Sequence, residues 1–155
     1  MKNQDKVTIR FFEEGDAHHV SSVIRDTMMK TNINDYPMSI LKPLHDYFTP
    51  SKVKILASER YCLVVEVDGK IVGTGALEND ELKTIFIIPN YQGLGIGKRL
   101  IDSLEKYAIS KQVSKLKVPS SISGIGFYKK VGYEEGETFN SKHAGQQTWM
   151  TKNLV

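Results

Sequence analysis

Three glycines at alternate positions, Gly93, Gly95 and Gly97, separate the apolar run IFII from a stretch of helical periodicity within IFIIPNYQGLGIGKRL, residues 85–100. The first turn of a helix leaves N–H groups without partners and carries partial positive charge. A preceding loop that lacks Cβ atoms lets a bulky anion come close to that backbone. Strand, glycine-rich turn and amphipathic helix in this order therefore suit a phosphate or a diphosphate. Three motifs compete for the reading. A Walker A loop requires Ser or Thr after its Gly-Lys, but Gly97-Lys98 is followed by Arg99, so no hydroxyl awaits Mg²⁺. A dinucleotide fingerprint requires G-x-G-x-x-G in a parallel βαβ unit, whereas the spacing here is G-x-G-x-G after a strand that continues a hairpin. What remains is Gln92-x-x-Gly95-x-Gly97. A tight turn with close helix packing is the plain alternative for the same glycines.

Other side chains able to do chemistry are scattered. Glu78, Asp80 and Glu81 gather at one end of a predicted strand, where carboxylates serve proton transfer or merely solvate the strand end. His18 and His19 are adjacent, and helix neighbours diverge by about 100°, so they share no face for a metal. They read as surface or packing histidines, as does His45, and no metal site is expected. His143 lies in a Gly-containing loop that would border an acceptor site. Cys62, within YCLVVEV, reads as a small buried hydrophobe. Asp35 and Asp46, in DYPMSILKPLHDYF, either line a pocket for a cation or belong to a packed helix pair.

Around these residues the periodicity predicts a strand at 7–12 and a helix at 15–30, with Asp16 as N-cap and Val20, Val23, Ile24 and Thr27 or Met28 on one face. Pro37, Pro43 and Pro50 break residues 31–60, leaving room for short helices near KPLHDYF and PSKVKILASE. YCLVVEV and KIVGTGALEN form a hairpin through Asp68-Gly69. ELKTIFII is apolar on both faces towards its end and therefore central in the sheet. Ile96, Leu100, Ile101, Leu104, Tyr107 and Ala108 repeat at helical spacing. VSKLKV is a strand, SGIGFYKKVG a short helix ended by Gly132, and YEEGETF with QQTWMTKNL a closing strand pair. The order, roughly βααβββαβαββ, describes one α/β domain over residues 1–155 with a mixed, mostly antiparallel central sheet flanked by helices.

The bulk composition excludes several classes. The chain has 155 residues, enough for one buried core, and 40% apolar with 25% charged residues is ordinary for a globular protein. A net charge of +3 is too small to argue for nucleic acid, and suits an anionic small ligand if the bases converge. No run of about 18 apolar residues would span a membrane, and MKNQDKVTIR lacks a secretory core. A single cysteine fits a reducing compartment, hence a cytoplasmic expectation.

At Gln92, Gly95 and Gly97 the sequence resembles the GCN5-related N-acetyltransferases, the GNAT family, whose acetyl-CoA motif (Arg/Gln)-x-x-Gly-x-(Gly/Ala) follows a strand ending near a proline. A second family motif, A-x-x-F-Y-x-K-x-G-F, is matched by GIGFYKKVGY, residues 124–133, and the element order agrees over essentially the whole chain. The resemblance implies acetyl-CoA as co-substrate, with Gln92 opening a cradle of amides from Gly93, Leu94, Gly95, Ile96, Gly97 and Lys98 for the diphosphate. It implies that peptide groups of Ile85, Phe86 and Ile87 pair with the pantetheine arm like an added strand. It further implies a splay between this strand and VSKLKV, and an amide near Ile87 that stabilises the oxyanion during direct attack by an amine. Tyr128 matches the family's acid for the departing thiolate, and Glu81 the place of a carboxylate acting through water. Ser121 stands where relatives carry an asparagine that contacts the cofactor. Gly124 replaces the motif's alanine, which loosens a helix start by about 1 kcal/mol.

The acceptor, a small-molecule or peptide amine, is set by residues 25–50 and 134–147. A second hypothesis is a non-catalytic acyl-CoA sensor or interaction module on the same fold, which would have no need of Tyr128 as an acid. A third is a packing-only domain. The closing strands leave a monomer and a homodimer both open.

Overall fold

The computed structural model describes residues 6–155; the first five, part of the stretch read as lacking a secretory core, lie outside the described residues. Seven strands form one sheet: β1 (Val7–Phe11), β2 (Tyr61–Val67), β3 (Lys70–Glu78), β4 (Glu81–Ile87), β5 (Lys115–Ser120), β6 (Glu134–Ser141) and β7 (Gly145–Asn153). Their spatial order is β1-β2-β3-β4-β5-β7-β6, so β4 is central, as its two-sided apolarity requires. Among the described residues only β4 and β5 run parallel; the other neighbours are antiparallel. The helices are α1 (Ala17–Thr31), α2 (Met38–Tyr47), α3 (Pro50–Glu59), α4 (Ile96–Ser110) and α5 (Ile125–Lys130). This is the expected α/β architecture.

Both proline-flanked segments before β2 fold, so three helices stand where the expected order has two. Pro37 takes the N-cap position of α2 and Pro50 the first turn of α3, where a missing N–H costs nothing. Pro43, expected to break the chain, lies inside α2. Pro43 and Ser39, whose carbonyl loses its intrahelical partner, are both exposed, so water satisfies that oxygen.

Two apolar layers hold the sheet. On one face α4 buries Ile96, Leu100, Ile101, Leu104 and Ala108, the predicted stripe. On the other, Ala17, Val20, Ile24 and Met28 of α1 pack with Leu41 and Val53. The hairpin turn Asp68-Gly69 has φ of 51° and 83°, the doubly positive geometry expected of that dipeptide.

Asp16 does not cap α1 with its side chain. Its carboxylate accepts from the Glu13 N–H (2.7 Å) and from two nitrogens of Arg10 (2.8 and 3.0 Å), while Arg10 also donates to Glu66. The Arg10 guanidinium holds the Asp16 carboxyl below its usual 3.8. A depressed carboxyl contributes stability above its unfolded pKa and loses it as pH falls through the folded value. Arg10→Ala therefore destabilises the fold by about 1–3 kcal/mol at pH 7, the scale of charge-assisted hydrogen bonds lost from a partly buried pair. The gap from wild type shrinks once the pH drops below 3.8. Urea midpoints at neutral and acidic pH check this; an equal gap at both removes the ion-pair account.

Candidate functional site

The parallel pair at the sheet's centre is barely a pair. Register between β4 and β5 is limited to Glu81 opposite Lys117, where the Lys117 N–H donates to the Asp80 carbonyl at 3.0 Å. Beyond that point the strands part. The sequence explains why: donors recur on one strand edge every second residue, and two residues after Lys117 the edge reaches Pro119, which has no N–H. The next donor towards β4 is therefore missing, and only the Pro119 carbonyl remains on that edge.

The facing edge of β4 is shaped by a bulge. Register shifts between Thr74 and Ala76, so Thr84 and Ile85 together oppose Gly75, and Thr84 sits at a φ of 49°. The extra residue inverts the side-chain parity, which is how Leu82, Ile85 and Ile87 all reach the α4 layer. The Ile88 N–H donates to the Val72 carbonyl at 2.9 Å. Alternation then directs the peptide groups of Phe86 towards β3 and those of Ile87 towards the gap. The expectation that Ile85, Phe86 and Ile87 all serve an incoming arm is corrected at Phe86, because adjacent residues cannot share an edge. The Ile87 carbonyl is itself engaged by Gln92 Nε2 at 2.7 Å, which ties the glycine loop back onto the strand.

The glycines divide into two kinds. Gly93 and Gly95 have φ of 76° and 82°, and a Cβ on either would meet nothing within 4 Å. Their surroundings are open, and the loop from Gln92 to Gly95 is exposed. The first helical bond of α4 runs from the Arg99 N–H to the Gly95 carbonyl at 3.2 Å, which leaves the amides of Ile96, Gly97 and Lys98 without intrahelical partners. Unpaired donors at a helix start beside two bare left-handed positions fit a diphosphate. Gly97 differs, since a Cβ there would stand 2.8 Å from Phe127 Cε1. Close packing is thus the reason for a glycine at 97, and it seats the start of α4 against α5. The Lys98 ammonium is occupied by Asp102 at 3.0 Å.

A short turn, Ile122–Gly124, leads directly into α5. Tyr128 is 7% exposed, edge-on to Phe127 and Tyr133 with ring centroids 5.2 and 5.8 Å apart. Its hydroxyl has no hydrogen-bond partner among the described residues, and burial pushes the phenol well above the ordinary value of 10.0. A Cβ at Gly124 would stand 2.8 Å from Ser120 Oγ and 3.1 Å from Ser121 Oγ, so glycine replaces alanine there to admit two serines.

Glu81 stands at the narrow end of the wedge, about 13 Å along the strand from Ile85 at roughly 3.3 Å per residue. Its carboxylate is 3.9 Å from Lys83 Nζ, whereas Glu78 takes that ammonium at 2.6 Å and is held below its usual range by it. The structure thus joins Gln92 to Ile87, Gly97 to Phe127, and Gly124 to both Ser121 and Tyr128, with Glu81 set apart. Asp35 lines no cation pocket: its carboxylate accepts from the Ser123 N–H and hydroxyl. Asp46 pairs with Lys42 and His45 on the surface, and His143 is exposed beyond β6. Thr84 and Pro119 were not legible as site residues, although a proline inside a strand signals an edge without a partner. Among the described residues no cluster of His, Cys, Asp or Glu is placed to hold a metal, and no helix is long and apolar enough to cross a membrane.

Residues 25–154 match the family model described as an acetyltransferase (GNAT) domain. A Bacillus subtilis (strain 168) relative, provisionally named an acetyltransferase, is 37% identical over 65 residues, 41% of this chain and 41% of that protein. The match therefore spans about two fifths of that relative's length. Among solved structures, the GCN5-related N-acetyltransferase of Rhodopseudomonas palustris superposes with a TM-score of 0.88 at 23% identity, covering 99% of both chains. The PaiA N-acetyltransferase of Thermoplasma acidophilum, solved with coenzyme A, gives 0.80 at 18% identity, covering 96% of this chain and 99% of its own. At these identities the structural likeness is one of fold.

Proposed function

The chain belongs to the GNAT acetyltransferase family, and from that premise we propose that it moves an acetyl group from acetyl-CoA to the nitrogen of a small-molecule or peptide amine. The observation that carries this reading is the parting of β4 and β5 beyond Glu81 and Lys117, followed along the chain from β4 by two bare left-handed glycines and the unpaired amides at the start of α4. When bound, acetyl-CoA supplies an acyl group already activated as a thioester, so no protein nucleophile is required.

The amides from Gly93 to Lys98 hold the diphosphate. Ile87 presents its N–H to the gap, where it pairs with the pantetheine arm or the acyl oxygen. The Ser121 hydroxyl adds one hydrogen bond from the α5 side. Burial raises the Tyr128 phenol above its ordinary value and so favours its protonated form. A thiolate left in the same water-poor gap is disfavoured by the same burial, so a proton passing from the phenol meets a matched acceptor. Glu81, about 13 Å along the strand from Ile85, reaches the incoming amine only through a chain of several waters. Such a reaction belongs in the cytoplasm, where CoA is available.

The test is release of CoA thiol across a panel of polyamines, amino acids, aminoglycosides and peptides, with the acetylated product identified by mass. At least one class is expected to give both signals. Tight acetyl-CoA binding without thiol release for any amine would leave a binding module, and flat calorimetric titration would remove both readings.

A further inference from the structure

The start of α5 is capped from elsewhere in the chain. Helix starts usually satisfy their first N–H groups with a local Ser, Thr, Asp or Asn side chain. Ser121 holds the N-cap position of the Ile122–Gly124 turn but makes no such bond. Instead the Ile122 N–H donates to the Tyr36 hydroxyl oxygen at 3.2 Å, and the Ser123 N–H and hydroxyl donate to Asp35 Oδ2 at 3.1 and 2.6 Å. Asn32 Nδ2 steadies the same oxygen from 3.2 Å. The Tyr36 phenol is saturated, since it also donates to the Gln146 carbonyl at 2.6 Å and accepts from Gln147 Nε2 at 3.1 Å. Its ring lies so close to Gly145 that a Cβ there would approach Cδ1 to 2.9 Å.

This matters because α5 is only six residues long, with Gly126 inside it. A helix of that length has no stability of its own, and its pose is set by the packing of Phe127 and Tyr128 together with whatever holds its start. The residues that hold it, Asp35 and Tyr36, join α1 to α2 on the side where the acceptor amine is expected. Tyr128 lies five residues beyond Ser123 in the same continuous turn and helix. Borrowed capping also leaves the Ser121 side chain free of the helix start.

We propose that Asp35 and Tyr36 are positioning residues that set the pose of Tyr128, and so tie proton delivery to the segment facing the acceptor. This rests on the reading of Tyr128 as the acid. Asp35→Ala removes the cap, whereas Asp35→Asn keeps a carbonyl oxygen in its place. Asp35→Ala lowers kcat roughly tenfold with the acetyl-CoA Kd unchanged, Tyr36→Phe acts likewise, and Asp35→Asn recovers most of the rate. In a Tyr128→Phe background Asp35→Ala costs nothing further, because both act on one step. An equal loss in both backgrounds, or a weakened Kd, overturns the proposal. A second measurement needs no acceptor: amide exchange in Asp35→Ala is expected to speed up from Ser123 through Tyr128. Exchange that rises at Ser123 alone overturns the positioning role whatever the amine. Should Tyr128→Phe by itself leave kcat unchanged, the acid reading falls, while the exchange pattern still decides whether residues 35 and 36 set the pose of α5.

Discussion

Gly95→Val abolishes useful acetyl-CoA binding while leaving the protein folded. The φ of 82° at Gly95 costs a β-branched residue about 1–2 kcal/mol of backbone strain, and a Cβ there meets nothing within 4 Å. Stability therefore falls by little more than the strain. Affinity falls far more, because the isopropyl group stands over amides that would each contribute roughly 1.5–3 kcal/mol to an anion. Loss of two such bonds weakens Kd by about a hundredfold or more, at 1.4 kcal/mol per decade. Gly97→Ala is the control with the opposite signature. Its Cβ meets the Phe127 ring at 2.8 Å, so overpacking lowers stability by about 1–3 kcal/mol, with a smaller effect on Kd. Calorimetric titration beside thermal unfolding separates the two. A Gly95→Val protein that binds acetyl-CoA normally reduces the loop to a turn.

The second large effect is expected at Tyr128. Phenylalanine keeps the ring against Phe127 and Tyr133 and removes only the hydroxyl, which has no protein partner to orphan. Folding and acetyl-CoA affinity should thus stay within about twofold of wild type, while kcat drops by roughly 10²–10⁴, the usual contribution of a positioned acid. Single-turnover rates with a cognate amine make the measurement free of product release. If kcat survives, the phenol is a core aromatic and another group protonates the thiolate. A simultaneous rise in Kd would instead mean that the hydroxyl binds rather than donates.

Much of the fold was legible because its signals are local. The Asp68-Gly69 turn, the apolar stripe of α4 and the two-sided apolarity of β4 each follow from backbone preference or burial within a few residues. Pro43 misled for a related reason: local propensity counts the lost hydrogen bond but cannot see that the freed Ser39 carbonyl faces water.

Residue types alone determined the bare turn, the donor-rich start of α4 and the presence of a phenol in α5, because these depend on missing Cβ atoms and short-range spacing. Tertiary structure decided which donors are available and how each glycine is used. Phe86 gives its peptide groups to β3, Gly97 gives its space to Phe127, and Asp35 and Tyr36 cap a helix more than eighty residues away. Strand register, close approach and borrowed capping are relations between distant segments, and no window of sequence contains both sides of them.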